Sequence, residues 1–472
     1  MGKLRRSSAS GAVKDLTVGE PMGLILGFAL PLLGGMLFQQ LYGMVDSLIV
    51  GRFLGVKALA GVGDTGSITF MIIGFCMGVC NGFSIPISQR FGAKDYADMR
   101  RFLAHAIYAS VVMAVVMTVV CSLLCGPILT AMNTPADIFD YAYIYLLIIF
   151  LGIPTNILYN LFSGAIRALG DSKAPVLFLI VSSVVNIALD LLLILVIPMG
   201  VAGAAIATVI SQGASGILAV VYMIKKVKIL RIRKEEWEFR GYYIRVLLTM
   251  GIPMGLQYSI TAIGSIMLTT AVNGLGSVYV AAQTAAGRVS CFFCTVYDAL
   301  GSTMATYGGQ NVGAKKLGRL NKGLKCASMI GTIYSLVVFV IMFFYGRPFA
   351  ALFVSSAETE ILDAARLSLV IGTAFYVPLA FVNIVRFLIQ GMGYPMLAIF
   401  AGVFEMIGRI AAAVFLVPVF GFTGVCVASP IAWVLADAFL FPAYFHVRKK
   451  TYQLYHMDPE GPDPNKKSPE IK

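Results

Sequence analysis

Charged side chains are scarce in this chain. Asp, Glu, Lys and Arg make up only 12% of its 472 residues, whereas soluble globular domains carry roughly 25%. Apolar residues make up 58%, and the mean hydropathy is +0.85. Because a water-soluble fold cannot bury this much apolar surface, most of the chain is expected to lie in a lipid bilayer. The predicted fold class is an all-α integral membrane protein.

Histidines and enzyme motifs are also scarce or lacking. The chain has 3 His and 8 Cys, and the cysteines lie in or beside apolar stretches without the spacing of secreted disulfides. The sequence contains no Walker A loop, which argues against an ATPase. It also has no nucleophile or metal motif, which argues against an integral-membrane enzyme. We therefore expect no cofactor.

Twelve apolar segments follow one another, centred near residues 35, 75, 113, 150, 186, 213, 257, 292, 334, 377, 407 and 435. Of the 36 basic residues, 29 lie in the N-terminal segment, in the loops after segments two, four, six and eight, and in the tail. Positive residues concentrate on the cytoplasmic side, so we predict a multi-pass protein of the cytoplasmic (inner) membrane with both termini cytoplasmic. This topology accounts for the net charge of +13, and no nucleic-acid partner is expected.

The two halves of the chain repeat each other at an offset of about 222 residues. Gln89-Arg-Phe-Gly-Ala-Lys94 corresponds to Gln310-Asn-Val-Gly-Ala-Lys315. Six spans per half run in the same sense, so the halves should be related by an axis along the membrane normal, with a cavity between them. The predicted organisation is a cytoplasmic N-terminal segment (1–20), an N-lobe (21–224), a basic cytoplasmic linker (225–243), a C-lobe (244–447) and a cytoplasmic tail (448–472).

Five carboxylates lie inside the apolar segments: Asp46, Asp190, Asp298, Glu405 and Asp437. Charged groups inside a membrane are expensive and are therefore functional candidates. Asp46 follows Pro31 in the first span, and Pro31 lets the helix bend because it lacks an N–H donor. The functional interpretation is a switch in which neutralising Asp46 changes how this helix packs. The alternative is an interfacial Asp near the outer end of the helix.

Asn186 and Asp190 share one helix face, and Thr208 in the next span is placed to reach the same pocket. Their carboxylate, amide and hydroxyl oxygens suit Na⁺, and two neighbouring carboxylates also suit a proton. The alternative is an interhelical polar clamp.

Glu405 and Arg409 are four residues apart and are predicted to form a structural ion pair. The roles of Asp298 and Asp437 stay open, with Arg288 as a candidate partner.

Several of these motifs resemble those of a known family. Phe38-Gln-Gln-Leu-Tyr-Gly-Met-Val-Asp-Ser-Leu-Ile-Val-Gly-Arg-Phe-Leu-Gly55, Arg167-Ala-Leu-Gly-Asp171 and Asn186-Ile-Ala-Leu-Asp190 resemble the multidrug and toxic compound extrusion (MATE) family, in its bacterial and archaeal type. The resemblance extends over roughly residues 20–450. It implies two pseudo-symmetric six-helix bundles in a V shape, and export of amphiphilic, mostly cationic compounds in exchange for H⁺ or Na⁺.

The resemblance also implies which residues couple transport to the cation. The N-lobe site would consist of Asp46, Asn186, Asp190 and Thr208, with Na⁺, where it is the coupling ion, at the first three and Pro31 as the helix-bending residue. Another branch of the family places acidic ligands in the seventh and tenth spans, where this chain has Gln257 and Arg386. A cation site of that type is therefore not expected in the C-lobe.

Two other functions are alternatives to a cation-coupled antiporter. A flippase for a lipid-linked precursor, from the same superfamily, would need a cavity rich in Arg and Lys, whereas Arg288, Arg386 and Arg409 are the cations found in or near the spans. An integral-membrane enzyme lacks supporting motifs. The expected partners are small organic cations, amphiphiles and membrane lipid, and the protein is expected to be a monomer.

Overall fold

The computed structural model describes residues 14–132, 134–355 and 357–455, and the regular structure of these residues is entirely helical. The first half contains α1 (Pro21–Phe53), α2 (Val56–Asp64), α3 (Gly66–Gly92), α4 (Tyr96–Ala131), α5 (Phe139–Leu151), α6 (Ile153–Ala168), α7 (Lys173–Leu191) and α8 (Val201–Lys226). The second half contains α9 (Gly241–Asn273), α10 (Ser277–Gly313), α11 (Gly318–Ala350), α12 (Thr359–Ala374), α13 (Tyr376–Gly391), α14 (Pro395–Ala411), α15 (Val417–Phe420) and α16 (Phe422–Leu454). Much of the predicted N-terminal segment (1–13) and tail (456–472) lies outside the described residues.

These helices form twelve membrane spans, as the sequence predicts. In the described part of the chain, nine spans are long apolar helices, two of them with π-helical extensions. Two further spans are bent pairs, α5 with α6 at 45° and α12 with α13 at 50°. The twelfth is α10, whose 37 residues exceed the roughly 20 that a span requires. Arg288 and Asp298 lie in its interior and make it less apolar than the others.

Prolines explain both bent spans. Pro154 and Pro378 lie two and three residues past the breaks at Gly152 and Phe375. A proline cannot donate a hydrogen bond to the carbonyl four residues before it, so the helix opens there. The bends therefore occur at equivalent positions of the two halves.

Residues with a positive φ recur at the spacing of the sequence repeat. Lys94 and Lys315, which are 221 residues apart, have φ of 61° and 57°, a conformation uncommon outside glycine. Gly55 pairs in the same way with Gly276, and Gly200 with Gly421. The sequence repeat is thus a structural repeat of two six-span bundles, which we call the N-lobe (α1–α8) and the C-lobe (α9–α16).

The two lobes approach most closely along α3 and α9. A Cβ on Gly82 would lie 2.5 Å from the Cα of Gly251, and one on Gly74 would lie 3.3 Å from the Cβ of Tyr258. The glycine stripe of α3 therefore packs backbone against backbone, as small residues do between membrane helices. The contact is as tight at Gly78, where a Cβ would lie 2.5 Å from the carbonyl oxygen of Met254, and it loosens only at Gly74, as expected for lobes that diverge in a V. Its apex lies at the basic end, meaning the end that carries the loops after α3, α6, α8 and α10.

The outer surface of each lobe, on the side away from the other lobe, is apolar. Val112 and Leu123 of α4 are 64% and 75% exposed, and Phe344 of α11 is 68% exposed. A contiguous apolar surface of this kind is rare on a water-soluble monomer. It is the expected lipid-facing surface of a membrane protein.

Candidate functional site

Asp46 and Asp190 meet inside the N-lobe. Helix α1 packs against α7, and the carboxyl groups of the two residues are close enough to interact directly with each other. Asp190 is 0% exposed, while Asp46 is half-buried. Two neighbouring carboxylates repel each other when both are ionised. The repulsion is relieved if one of them takes up a proton or if a cation binds between them. The arrangement can therefore hold one positive charge.

Two tyrosines complete the surroundings of the carboxyl pair. Tyr42 lies one helical turn before Asp46, and Tyr145 reaches the pair from α5; both are close enough to interact electrostatically with both carboxyl groups. Tyr42 could be anticipated from its four-residue spacing to Asp46. Tyr145 could not, because nothing in the local sequence indicates that α5 packs here.

The oxygen atoms of this cluster are unpartnered. Within the described residues, Asp46 Oδ1, both carboxyl oxygens of Asp190, and Oδ1 and Nδ2 of Asn186 are buried without a hydrogen-bond partner. Buried polar atoms normally have partners, so unpartnered oxygens mark a place for a ligand. Carboxylate and amide oxygens are suitable for a hard cation such as Na⁺, and the carboxyl pair is also suitable for H⁺.

Thr208 has a different environment. Its hydroxyl donates a hydrogen bond to the carbonyl oxygen of Ala204, one turn earlier in α8, at 3.1 Å. In the described part of the chain it makes no hydrogen bond to Asp46, Asn186 or Asp190. The structure thus brings Asp46 and Asp190 together, with Asn186 on the same face of α7, and leaves Thr208 bonded to its own helix.

Helix α1 connects the two lobes. Its first turns, with Leu24, Ile25 and Phe28, pack into the hydrophobic core of the C-lobe, whereas Asp46 lies against α7 of the N-lobe. Pro31 lies between these parts, inside a helix that runs without a break from Pro21 to Phe53. Because Pro31 removes one backbone hydrogen bond, the helix is weakest where its packing passes from one lobe to the other.

Glu405 in the C-lobe is shared by two arginines. Its Oε1 accepts a hydrogen bond from Nη1 of Arg386 at 2.7 Å, and its Oε2 lies 3.3 Å from Nη2 of Arg409. Glu405, Arg386 and Arg409 are 4%, 8% and 7% exposed. The predicted pair with Arg409 is present, but the shorter contact is made with Arg386, which also donates to Asn383 Oδ1 at 3.2 Å.

Asp298 and Asp437 lie near this ion cluster. Arg386 interacts electrostatically with both of them, and Asp437 is also close to Glu405. Arg288, the candidate partner, is exposed and forms no ion pair within the described residues. Gln257 accepts a hydrogen bond from Gln390 Nε2 at 2.6 Å. The C-lobe carboxylates therefore have Arg386 as a shared cationic neighbour.

The segment before α1 closes the basic end. The backbone N–H of Leu16 donates to Gln310 Oε1 at 2.8 Å, and Gln310 Nε2 donates to the carbonyl of Ala168 at 2.8 Å. Lys14 N–H donates to the carbonyl of Leu169 at 3.1 Å. Leu16 and Gln310 are 1% and 0% exposed. Residues 14–19, which we call the N-terminal wedge, thus lie between the ends of α6 and α10.

Direct contacts between the lobes strengthen this closure. Gln89 Nε2 donates to the carbonyl of Gly391 at 3.0 Å, and the backbone of Gly92 and Gly313 packs reciprocally against that of Gln310 and Gln89. In the described part of the chain, the hydrogen bonds between the lobes lie at the basic end, except one from Gln40 Nε2 to Cys291 Sγ. The lobes are therefore sealed at the basic end and separate towards the other end.

Comparison with known proteins agrees with this geometry. Residues 31–192 and 253–415, one stretch in each lobe, both match the MatE family profile. The chain belongs to the MATE family. As a MATE protein it is a multi-pass membrane transporter of small molecules rather than an enzyme.

Curated relatives of this MATE protein span most of its length. It is 28% identical over 373 residues to a probable multidrug resistance protein, YpnP, of Bacillus subtilis, covering 79% of this chain and 82% of the relative. It is 24% identical to the multidrug export protein MepA of Staphylococcus aureus, covering 80% and 84%. It is also 22% identical to a FAD transporter of Shewanella oneidensis, with the same coverage.

Solved structures share the fold of this MATE protein. A MATE family transporter of the MOP superfamily in an outward-facing conformation superimposes with a TM-score of 0.87 at 22% identity, covering 96% of this chain and 100% of the other. A MOP superfamily transporter from Pyrococcus furiosus superimposes with a TM-score of 0.86, also at 22% identity, covering 95% and 100%. The fold of twelve spans in two bundles is thereby shown.

Proposed function

We propose that this MATE protein is a cation-coupled antiporter that exports amphiphilic, mostly cationic compounds by alternating access. The observation that carries the proposal is the Asp46–Asp190 pair with its buried, unpartnered oxygens. One positive charge satisfies the pair, and its uptake and release change what α1 packs against. The coupling ion is H⁺ or Na⁺, since the oxygen ligands serve both.

The conformation described here fits one state of this cycle. With the basic end on the cytoplasmic side, as the positive-inside bias predicts, the N-terminal wedge and the contacts around Gln310 close the cytoplasmic path. The central space is then open to the outside. In this state Asp46 and Asp190 take up the cation from outside while the substrate leaves.

Helix α1 is the element that couples the two events. Cation uptake neutralises the repulsion between Asp46 and Asp190, so α1 can move relative to α7, bending at Pro31 where one backbone hydrogen bond is missing. The first turns of α1 pack into the hydrophobic core of the C-lobe. A movement at Asp46 therefore acts on the contact between the lobes, which opens the cytoplasmic side and releases the cation there.

The substrate proposal follows the relatives named as multidrug proteins. Among the alternatives, a flippase for a lipid-linked pyrophosphate would need a cavity rich in Arg and Lys, whereas the buried cations Arg386 and Arg409 both contact Glu405. We propose that the protein acts as a monomer in the cytoplasmic membrane, with both termini in the cytoplasm.

Proteoliposomes with an imposed pH or Na⁺ gradient test this function. We expect wild-type protein to drive ethidium efflux under one of the gradients. Asp46→Asn should reduce that efflux at least tenfold, because an amide cannot take up the cation. Asp46→Glu should retain part of it. Asp363→Asn, which alters an exposed ion pair with Arg347, is the matched control and should transport normally.

Two results would overturn the proposal. Ethidium efflux by Asp46→Asn at the wild-type rate would exclude Asp46 from coupling. A wild-type protein that moves no drug under either gradient would favour the flippase instead.

A further inference from the structure

A small cavity with a mixed polar and apolar wall lies between the lobes, near the basic end. It has a volume of about 30 Å³, enough for about two water-sized occupants. The N-lobe and the C-lobe both contribute to its wall, and its polar lining residues are Asn81, Ser84, Ser88, Arg167, Ser302 and Thr306. Because both lobes form the wall, the cavity exists only while the basic end is closed.

Arg167 brings an unneutralised positive charge to this cavity. It lies in the last turn of α6, and its guanidinium Nη2 donates to Asn81 Oδ1 at 3.0 Å. The groups that interact electrostatically with it are Tyr159, Tyr258 and Cys80, none of which is a carboxylate. In the described part of the chain Arg167 forms no ion pair.

The three arginines that are fully buried in the described part of the chain, Arg100, Arg386 and Arg409, all contact a carboxylate, whereas Arg167 is only partly buried. Arg100 is paired with Glu236 at 2.6 Å, and Arg386 and Arg409 share Glu405. A charge that is partly removed from water is stabilised by a counter-charge. Arg167 has no carboxylate partner and lines a cavity, which leaves room for a ligand to supply that counter-charge.

The chemistry of the cavity wall defines that ligand. A guanidinium has five N–H donors, and the single bond to Asn81 leaves most of them available. The hydroxyls of Ser84 and Ser88 bond to carbonyl oxygens of their own helix at 2.6 and 2.9 Å, and hydroxyl donors can rotate towards a bound group. These are donors for an anion, and the volume admits a small one with a single charge.

We propose that the cavity binds one small monovalent anion, either chloride or the carboxylate group of a zwitterionic substrate, with Arg167 as its principal donor. The anion bridges the lobes when the basic end is closed and is released when the lobes part there. Only the carboxylate source rests on the proposed transport function, because chloride binding is measured without transport.

Thermal unfolding of the purified full-length protein tests the chloride source. Chloride replaces gluconate at constant ionic strength, and intrinsic fluorescence reports the unfolding temperature. We expect a saturable rise for the wild type and at least a tenfold higher half-saturating chloride concentration for Arg167→Gln. Arg288→Gln, which removes an exposed arginine of α10, is the matched control and should behave as the wild type. If Arg167→Gln does not fold, Ser302→Val keeps the charge, fills the cavity and should abolish the saturable rise.

Transport of matched substrates tests the carboxylate source. Norfloxacin carries a carboxylate, its methyl ester does not, and ethidium is cationic. We expect Arg167→Gln to raise the KM for norfloxacin at least tenfold and to leave the ester and ethidium unchanged. Failure of wild-type ethidium efflux would count against the antiporter and leave the chloride measurement intact. The anion site is overturned if the wild type shows no saturable chloride effect and Arg167→Gln affects norfloxacin and its ester equally.

Discussion

Charged side chains inside the spans are stabilised by neighbouring side chains of opposite charge. Glu405 is the clearest case, because one buried carboxylate is shared by two buried guanidinium groups. Burying an ion pair brings little net stability, but removing one partner leaves an uncompensated charge and is strongly destabilising. Glu405 therefore contributes to the folding of the C-lobe.

We expect Glu405→Gln to destabilise the protein by about 3–5 kcal/mol. The amide keeps the shape of the side chain but removes the carboxylate that contacts both Arg386 and Arg409. The unfolding temperature in detergent, measured by scanning fluorimetry, gives the direction and relative size of the effect. Asp363→Asn is the control, since exposed pairs such as Arg347–Asp363 contribute about 0–1 kcal/mol. Equal unfolding temperatures for the two variants would contradict this assignment.

The sequence predicts some residue contacts well and misses others for a physical reason. Neighbours one helical turn apart, such as Asn186 with Asp190 and Glu405 with Arg409, follow from helix geometry alone. The contact of Arg386 with Glu405 joins two different helices, and sequence periodicity does not say which helix faces which. The same reason explains why Arg288 was considered for Asp298 while the structure places Arg386 there.

At the scale of elements, the linker between α8 and α9 is more than a flexible tether. Arg100 of α4 binds Glu236 of the linker through Nε and Nη2, at 2.6–2.9 Å. Glu236 also accepts the backbone N–H of Arg233 at 2.7 Å. Burial alone would raise the pKa of Glu236, but these hydrogen bonds outweigh it and hold the pKa below its usual range.

We expect docking of this linker to be lost in acid. Since the pKa of Glu236 is lowered in the folded state, its stabilisation is complete above the ordinary Glu pKa of about 4.3. It is lost as the pH falls through the lowered value. In a Trp433→Phe background, the fluorescence of Trp237, whose ring lies against Tyr108, reports the docking.

Two variants separate this effect from a general acid response. Glu236→Gln should show the undocked fluorescence already at neutral pH. Glu238→Gln removes the carboxylate of an exposed pair with Arg240 and should keep the wild-type curve. Docking that persists in Glu236→Gln would show that the ion pair does not hold the linker.

The N-terminal wedge makes a second prediction about elements. Gln310→Ala removes two hydrogen bonds, to Leu16 and Ala168, each worth about 1 kcal/mol. The ratio of closed to open molecules at the basic end should then fall roughly 30-fold, because 1.4 kcal/mol corresponds to a factor of ten. Distances between spin labels at Lys94 and Lys315, in a background without native cysteines, measure the two populations.

The repeat provides the matched control for this experiment. Gln89 is the equivalent of Gln310 in the N-lobe, and its side chain donates one hydrogen bond, to Gly391. Gln89→Ala should therefore lower the ratio only about fivefold. A larger effect for Gln89→Ala than for Gln310→Ala would mean that the direct contact between the lobes, rather than the wedge, closes the basic end.

The sequence predicts the membrane-spanning helices more completely than it predicts the contacts between them. All twelve spans and the repeat follow from hydropathy and spacing, because lipid requires each span to be a closed run of backbone hydrogen bonds. The wedge did not follow, since residues 14–19 carry no periodic pattern. The continuous course of α1 through Pro31 is also beyond the sequence, which permits a bend without fixing when it occurs.

At the scale of the whole molecule, the glycine contact between α3 and α9 is where the two lobes pack backbone against backbone. The backbone of Gly82 meets that of Gly251, and a Cβ at Gly82 would lie 2.5 Å from Gly251 Cα. Neither side is a flexible side chain that can give way, so a methyl group must push the helices apart. Overpacking of this kind costs typically 1–3 kcal/mol.

We therefore expect Gly82→Ala to lower the unfolding temperature even though alanine favours helix. Gly287→Ala, in α10 with no atom within 4 Å of the new Cβ, isolates the helix propensity and should stabilise by about 0.5–1 kcal/mol. Gly74→Ala, whose Cβ would lie 3.3 Å from Tyr258, should fall between them because the V is wider there. A series in which all three variants shift alike would contradict a tight backbone contact at Gly82, whereas the graded order places the tighter packing towards the basic end.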